Sequence, residues 1–172
     1  MNYTTIILRI IHIFSGVFWI GVAFFNIGFL QPTVKATGAE GQKVMQHLSG
    51  KTRFLIISYL AATLNMLSGV WLYWNLSRFN WEFAKSGFGL FLTIGGTFGA
   101  LAWIVVIFVI RNIFNQLGAI GSQIQTQGSP PTPEQGAELQ ALGARLIKVG
   151  HFVLALLIVA LLGMSTAQYI IL

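Results

Sequence analysis

Four long apolar runs constrain this chain more than any other feature: Ile6 to Leu30, Phe54 to Trp74, Phe88 to Ile110 and Val149 to Leu172. Each has at least about 20 residues, and at about 1.5 Å per helical residue that length covers a hydrocarbon layer about 30 Å thick. Inside such a layer every backbone N–H and C=O must be paired within the protein, so uninterrupted apolar runs of this length read as helices. The expected fold is all-α, a transmembrane four-helix antiparallel bundle, with one membrane domain over residues 1–172. Its helices fall at about residues 6–30, 54–74, 88–110 and 149–172, joined on one side by connections 31–53 and 111–148. Composition agrees, since 8% of residues are charged against about 25% in a soluble protein. The first run is too long for a signal-peptide core, has no basic segment at its start and no small-residue cleavage pattern after it. It is expected to stay in the mature protein.

Lysine and arginine are distributed unevenly. Lys35, Lys43, Lys51, Arg53, Arg111, Arg145 and Lys148 share the side of the first and third connections, whereas only Arg9, Arg78 and Lys85 lie on the other. This bias of seven to three predicts that the first and third connections are cytoplasmic and both termini outside. Trp71, Tyr73, Trp74 and Trp81 then cluster at the outer boundary, where amphipathic rings favour the interface. The net charge of +6 does not indicate nucleic acid, because the basic residues form no run interleaved with exposed aromatics. Cysteine is absent, which excludes disulfides, iron–sulfur clusters and thiolate zinc sites.

The connections carry their own signals. "TGAEGQKVMQHLSGKTR" is polar but helix-compatible and predicts an amphipathic lead-in to the second membrane helix. In "GSPPTPEQGAELQALGARLIK" the prolines 130, 131 and 133 end one helix and start the next, with Thr132 as N-cap and Glu134 in the first turn. The last helix is therefore expected to begin well outside the bilayer. Gly95, Gly96, Gly99, Ala100 and Ala102 form a small-residue surface that lets another helix approach closely; a tetrapyrrole ring against it is the less conservative reading. "FSGVFW" at residues 14–19 is echoed by "LSGVWLYW" at 67–74, a likeness that packing of small residues beside aromatics accounts for without duplication.

Polar residues inside the first run point to a site. Arg9, His12, Gly16, Trp19, Ala23 and Asn26 recur at steps of three and four and share one stripe, expected to face the bundle. Ionisable groups within a membrane usually face protein or a water-filled cavity and are functional-site candidates by default. His12 lies about 9 Å below the outer edge, a depth also held by Met66, Ser68, Thr93, Met164, Ser165 and Gln168. No second histidine reaches that level, so a bis-histidine haem there is unsupported. A single-histidine site or a His12–Met164 or His12–Met66 pair is open. His47 and His151 lie on the opposite side as a second candidate pair. A buried cation such as Arg9 beside His12 would suit a haem propionate or a quinone oxygen. The conservative alternatives are that His12 hydrogen-bonds Ser68 or Thr93, that Arg9 snorkels to the interface, and that Asn65 pairs across helices.

"LRIIHIFSGVFWIGVAFF" followed by "FLQPTVKATG", with "LSGVWLYW" in the second helix, resembles the CopD-like group of small bacterial integral membrane proteins, named for copper-resistance protein D. The motif that carries the likeness is His12, then Trp19 and Gly21. The resemblance implies a helical bundle in a bacterial cytoplasmic membrane that handles copper or binds b-type haem. The layout is distantly similar to that of cytochrome b561, but here Ser165 and Gln168 stand where an outer ligand would be wanted, and the second helix has no histidine.

Three functional classes follow. The first is electron transfer through haem b or another tetrapyrrole held by His12, Arg9, Trp19, His151 and Met164, exchanging with a membrane quinone. The second is copper handling by soft donors among His12, Met66 and Met164, with His47 and His151 as further candidates. The third is a non-catalytic accessory subunit of a respiratory or photosynthetic complex. The only four carboxylates, Glu40, Glu82, Glu134 and Glu138, fall in connections, so hydrolytic chemistry and an intramembrane proton relay are not expected, and an enzyme is the less favoured class.

Overall fold

The computed structural model describes residues 3–170, and for Ala39 the backbone only. Helix is the only regular secondary structure among the described residues, with no strand. In order it comprises α1 (Tyr3–Phe25), α2 (Gln31–Thr37), α3 (Ala39–Gly50), α4 (Phe54–Ser77), α5 (Trp81–Lys85), α6 (Gly87–Val105), α7 (Arg111–Gln127) and α8 (Pro133–Thr166). Single π-helical turns, Asn26–Leu30 and Val106–Ile110, splice α1 to α2 and α6 to α7, so each pair runs on as one rod. A 3-10 turn, Ala167–Tyr169, follows α8. Four rods, Tyr3–Thr37, Phe54–Ser77, Gly87–Gln127 and Pro133–Tyr169, are long and apolar enough to cross a bilayer. The protein is a multi-pass membrane protein, and its outward faces carry the residues that suit lipid, such as Ile10, Phe14 and Val17 on α1, Leu60 and Leu67 on α4 and Leu161 and Leu162 on α8.

All four rods exceed the apolar runs that announced them, and all but Phe54–Ser77 do so by ten residues or more. Gly87–Gln127 has 41 residues, about 60 Å of helix against about 30 Å of hydrocarbon. Its excess, α7, pairs with the first half of α8 as a two-helix stalk cored by Ile113, Ile120 and Leu142. As the proline pattern predicts, α8 starts at the stalk tip: Thr132 Oγ1 accepts from the Gln135 backbone N–H and the Gln135 side chain accepts from the Thr132 backbone N–H, a reciprocal cap. The last two residues of the fourth run lie outside the described residues.

Around the bundle the order is α1, α4, α6, α8 and back to α1, and the α1–α4 and α6–α8 interfaces are the most extensive. Successive rods are antiparallel: Tyr73 on α4 meets Thr93 on α6, while Thr63 meets Trp103. Lipid gives helices no hydrophobic reason to associate, so close backbone approach must supply the attraction. At α6–α8 it does. A Cβ on Gly95 would lie 2.9 Å from the Ala160 carbonyl oxygen, and one on Gly163 would lie 3.1 Å from the Phe91 oxygen and 3.2 Å from Gly95 Cα. The small-residue surface of α6 thus serves packing. The shared core contains Trp19, Ala62, Ala102, Val106, Val153, Leu156 and Leu157.

Replacing Gly163 by leucine should destabilise the protein by about 1–3 kcal/mol through overpacking. Gly96→Leu, where a Cβ meets nothing within 4 Å, should leave stability unchanged or slightly raised. Reversible unfolding in mixed micelles checks both.

Candidate functional site

His12 occupies a built seat between α1 and α4. Its Nδ1–H donates to the Asn65 backbone carbonyl at 2.9 Å, and the Ser68 hydroxyl lies 3.4 Å from the same nitrogen. In return, Asn65 Nδ2 donates to the His12 carbonyl at 2.7 Å. Two glycines make the exchange feasible. A Cβ at Gly69 would lie 2.8 Å from His12 Cε1, and one at Gly16 would lie 2.7 Å from Asn65 Nδ2. Each polar side chain therefore rests on a glycine of the opposite helix, and the pair clasps α1 to α4. A carbonyl can only accept, so Nδ1 carries the proton and Nε2 is left with a lone pair.

The remaining sequence candidates do not converge on that lone pair. Arg9, expected to face the bundle with His12, is exposed instead, one turn nearer the helix end, where a long cation reaches polar surroundings. Met164 packs over Gly95 at the α6–α8 interface, with Cγ 2.9 Å from where a Cβ would stand, on the opposite side of the bundle from the clasp. Met66 shares a face of α4 with Thr63 and Tyr73, which bond to Trp103 and Thr93 on α6. Thr93 is thereby engaged by Tyr73 at 2.7 Å, and of the two partners considered for His12 only Ser68 is near it. His47 and His151 are both exposed, and His151 donates from Nδ1 to the Ile147 carbonyl of its own helix at 2.9 Å. No group of three or more His, Asp or Glu side chains that would hold a metal ion exists among the described residues. Of the donors considered for haem b or copper, His12 lies at the α1–α4 interface and Met164 at α6–α8.

A different site emerges deeper along the same stripe of α1. Trp19, Ala23 and Asn26 face a cavity of about 110 Å³ formed by all four rods, with Gln31 at its α2 end, Phe54, Ser58 and Tyr59 from α4, Val106 and Ile110 from the second π turn, Phe114 from α7, and Leu146, Gly150 and Val153 from α8. A cavity of about 150 Å³ accepts benzene, so this one is close to the size of a single ring. Its lining is mainly apolar, with a few polar groups. Gln31 Nε2 donates to Asn26 Oδ1 at 2.9 Å, which leaves the Asn26 amide hydrogens free. The Tyr59 hydroxyl is buried and has no hydrogen-bond partner, alone in this among the buried side-chain polar atoms of the described residues. Trp19, buried beside it, makes no side-chain hydrogen bond among the described residues.

Both π turns border this cavity. The first has a local cause: Pro32 has no N–H for the Gly28 carbonyl and its ring would crowd that oxygen, so the preceding turn widens and the Gln31 N–H bonds to Asn26 five residues back. In the second, Arg111 N–H reaches Val106 in the same way, within a run of β-branched residues that does not account for it. Isolated π turns recur at functional sites. Sequence reading placed Trp19 on the right stripe but did not find Tyr59, Asn26 as a site residue, or the cavity. The one available signal was Pro32 closing an apolar run.

Comparison with family models, curated proteins and solved structures finds no match.

The clasp predicts a coupled pair. His12→Ala and Asn65→Ala should each destabilise the bundle, and the double variant should show a coupling of about 1 kcal/mol, within the range measured for interhelical bonds in membranes. A double-mutant cycle of unfolding free energies in mixed micelles reads it.

Proposed function

We propose that this chain is a membrane-embedded binding protein for a lipophilic molecule with a single ring and hydrogen-bond-accepting oxygens, the quinone class, seated in the cavity between Trp19, Asn26 and Tyr59. The observation that carries this reading is that Tyr59, whose buried hydroxyl has no partner, lines an apolar cavity. A buried O–H without a partner costs about 1–3 kcal/mol, a cost that a ligand oxygen would remove. The donors near it are O–H and N–H groups, which suits carbonyl oxygens rather than another donor, and the surrounding Phe54, Val106, Ile110 and Val153 suit a ring and its tail.

The chemistry such a site can perform follows from its inventory. Tyr59 and the Asn26 amide would orient the ring by its oxygens, and Trp19 would form an aromatic wall. No carboxylate or histidine lines the cavity, so its residues bind and position rather than transfer protons as acids or bases of ordinary strength. A role in membrane electron transfer would be that of a quinone-holding partner, with the redox centre on another protein. A second reading, an accessory subunit of a respiratory or photosynthetic complex, is supported by the α7–α8 stalk. Its polar flank, bearing Asn115, Gln116, Gln123 and Gln127, extends about 25 Å beyond the bilayer and offers a neighbouring subunit a surface with few charges. For orientation, the bias of seven cations to three supports a stalk in the cytoplasm and both termini outside, and the resemblance to the CopD-like group suggests a bacterial cytoplasmic membrane.

Two experiments test these statements. Tyr59→Phe should weaken binding of a short-chain benzoquinone or naphthoquinone about tenfold, measured by equilibrium dialysis in micelles, while the empty protein keeps or gains stability because an unpaired hydroxyl is lost. Equal affinity in the variant would refute the site. Because the chain has no cysteine, Gly128→Cys at the stalk tip and Phe79→Cys at the opposite end can each be labelled alone. The first should resist an impermeant maleimide in intact cells and the second should react.

A further inference from the structure

Seven of the ten basic residues lie on the stalk side, and four of them border the cavity by position along the chain. Arg53 immediately precedes Phe54, Arg111 immediately follows Ile110, Arg145 immediately precedes Leu146, and Lys148 stands two residues from Gly150; all four neighbours line the cavity. These cations come from three rods, α4 with its approach, α7 and α8, and all four are exposed. The ion pairs among the described residues are Lys43–Glu40 and Lys85–Glu82, so the four cations have no acidic partner there. Nor can the remaining stalk-side carboxylates reach them within their own helix. Glu138 is seven residues before Arg145 and Glu134 eleven, about 10 and 16 Å further out along α8.

We infer that these cations, at one level of the bundle, bind the phosphate of an anionic phospholipid. That level decides the source of the phosphate. Each cation stands at the end of a membrane-crossing apolar run, where lipid headgroups lie, and basic pockets between membrane helices at this depth recognise anionic headgroups. Arginine presents a planar fork that matches phosphate oxygens in pairs, and three of the four cations are arginine. Acyl chains of a lipid held there would run along the apolar outer faces of α4 and α8, where Ile56, Ile57 and Phe152 are exposed. The inference stands on charge and placement and does not depend on what occupies the cavity beside Tyr59.

The test is native mass spectrometry of the full chain released from neutral detergent containing equal amounts of phosphatidylglycerol and phosphatidylcholine of the same chain length. The expected result is retention of one phosphatidylglycerol with about tenfold preference, given the attraction of each cation to an anionic surface. The preference should be lost in the triple variant Arg53→Gln, Arg111→Gln, Lys148→Gln. It should persist in Arg9→Gln and Arg78→Gln on the other side, and in part in Arg53→Lys, Arg111→Lys, which keeps charge and gives up the fork. Circular dichroism and monodispersity establish that each variant is folded, and the lysine variant keeps the proposal testable if the triple variant is not. Equal retention of the two lipids, or unchanged preference in a folded triple variant, overturns the inference. Displacement of the lipid by millimolar inorganic phosphate would assign these cations to free phosphate and equally overturn it. Tyr59→Phe should leave the lipid preference unchanged, which separates this result from the quinone reading.

Discussion

Hydrocarbon removes the force that normally gathers helices, because a leucine gains nothing by exchanging lipid for protein. What remains is van der Waals contact at short range and the few polar bonds that cross between helices. Both require small residues, and the two extensive interfaces of this bundle are built on them. At α6–α8, Gly95 and Gly163 let two backbones touch. At α1–α4, Gly16 and Gly69 serve as seats for side chains of the other helix, so that Asn65 and His12 can bond to backbone rather than to each other alone. The helices are held at one level by their glycines, and everything else in the fold is arranged about those points.

This explains why a histidine in the most apolar part of the chain is compatible with a stable bundle. Its desolvation is offset by a carbonyl one helix away, and its own backbone oxygen receives an amide in return. Deployed in this way, His12 behaves as interhelical glue. A histidine whose Nδ1–H is fixed by a backbone carbonyl is oriented in the same manner as many metal-bound histidines, which is why the residue reads equally well in either role from sequence. The difference lies in the surroundings, and here Met164 packs over Gly95 at the α6–α8 interface.

The legible parts of the chain were those in which a physical requirement leaves a mark on residue type. Span length appears as apolar run length, the α8 start as Thr132 between prolines, the close approach at α6 as clustered glycine, and Asn65 as a polar residue that had to find a partner. The cap shows the limit of that legibility: Glu134 marks the first turn, but the residue that closes the reciprocal bond is Gln135. The extent of the rods was hidden because α2 and α7 are polar and continue through π turns that have no residue signature of their own. The cavity was hidden for a related reason. It is defined by residues that do not touch, and Tyr59 in an apolar run looks the same with or without a partner for its hydroxyl. Arg9 was assigned to the inner stripe by its spacing, but at a helix end the length of the side chain matters more than the angle at which it leaves the backbone.

The cavity itself follows from how residue size changes along the bundle. At the level of the clasp and the α6–α8 contact, glycine, alanine and serine dominate the interfaces and the rods can touch. Toward the stalk side the facing residues become Phe54, Tyr59, Ile27, Ile110, Phe114 and Leu146, with Gly150 accommodating the Ile27 side chain. Rods pinned together at one level and separated by bulk at another must diverge between them. A straight α-helix would carry that divergence along its whole length, whereas a π turn inserts one residue and redirects the axis locally. Both π turns lie at this level, on α1 and α6, and beyond it α7 returns to close packing with α8 around Ile113, Ile120 and Leu142. The gap therefore lies between two tightly packed zones and is a consequence of them.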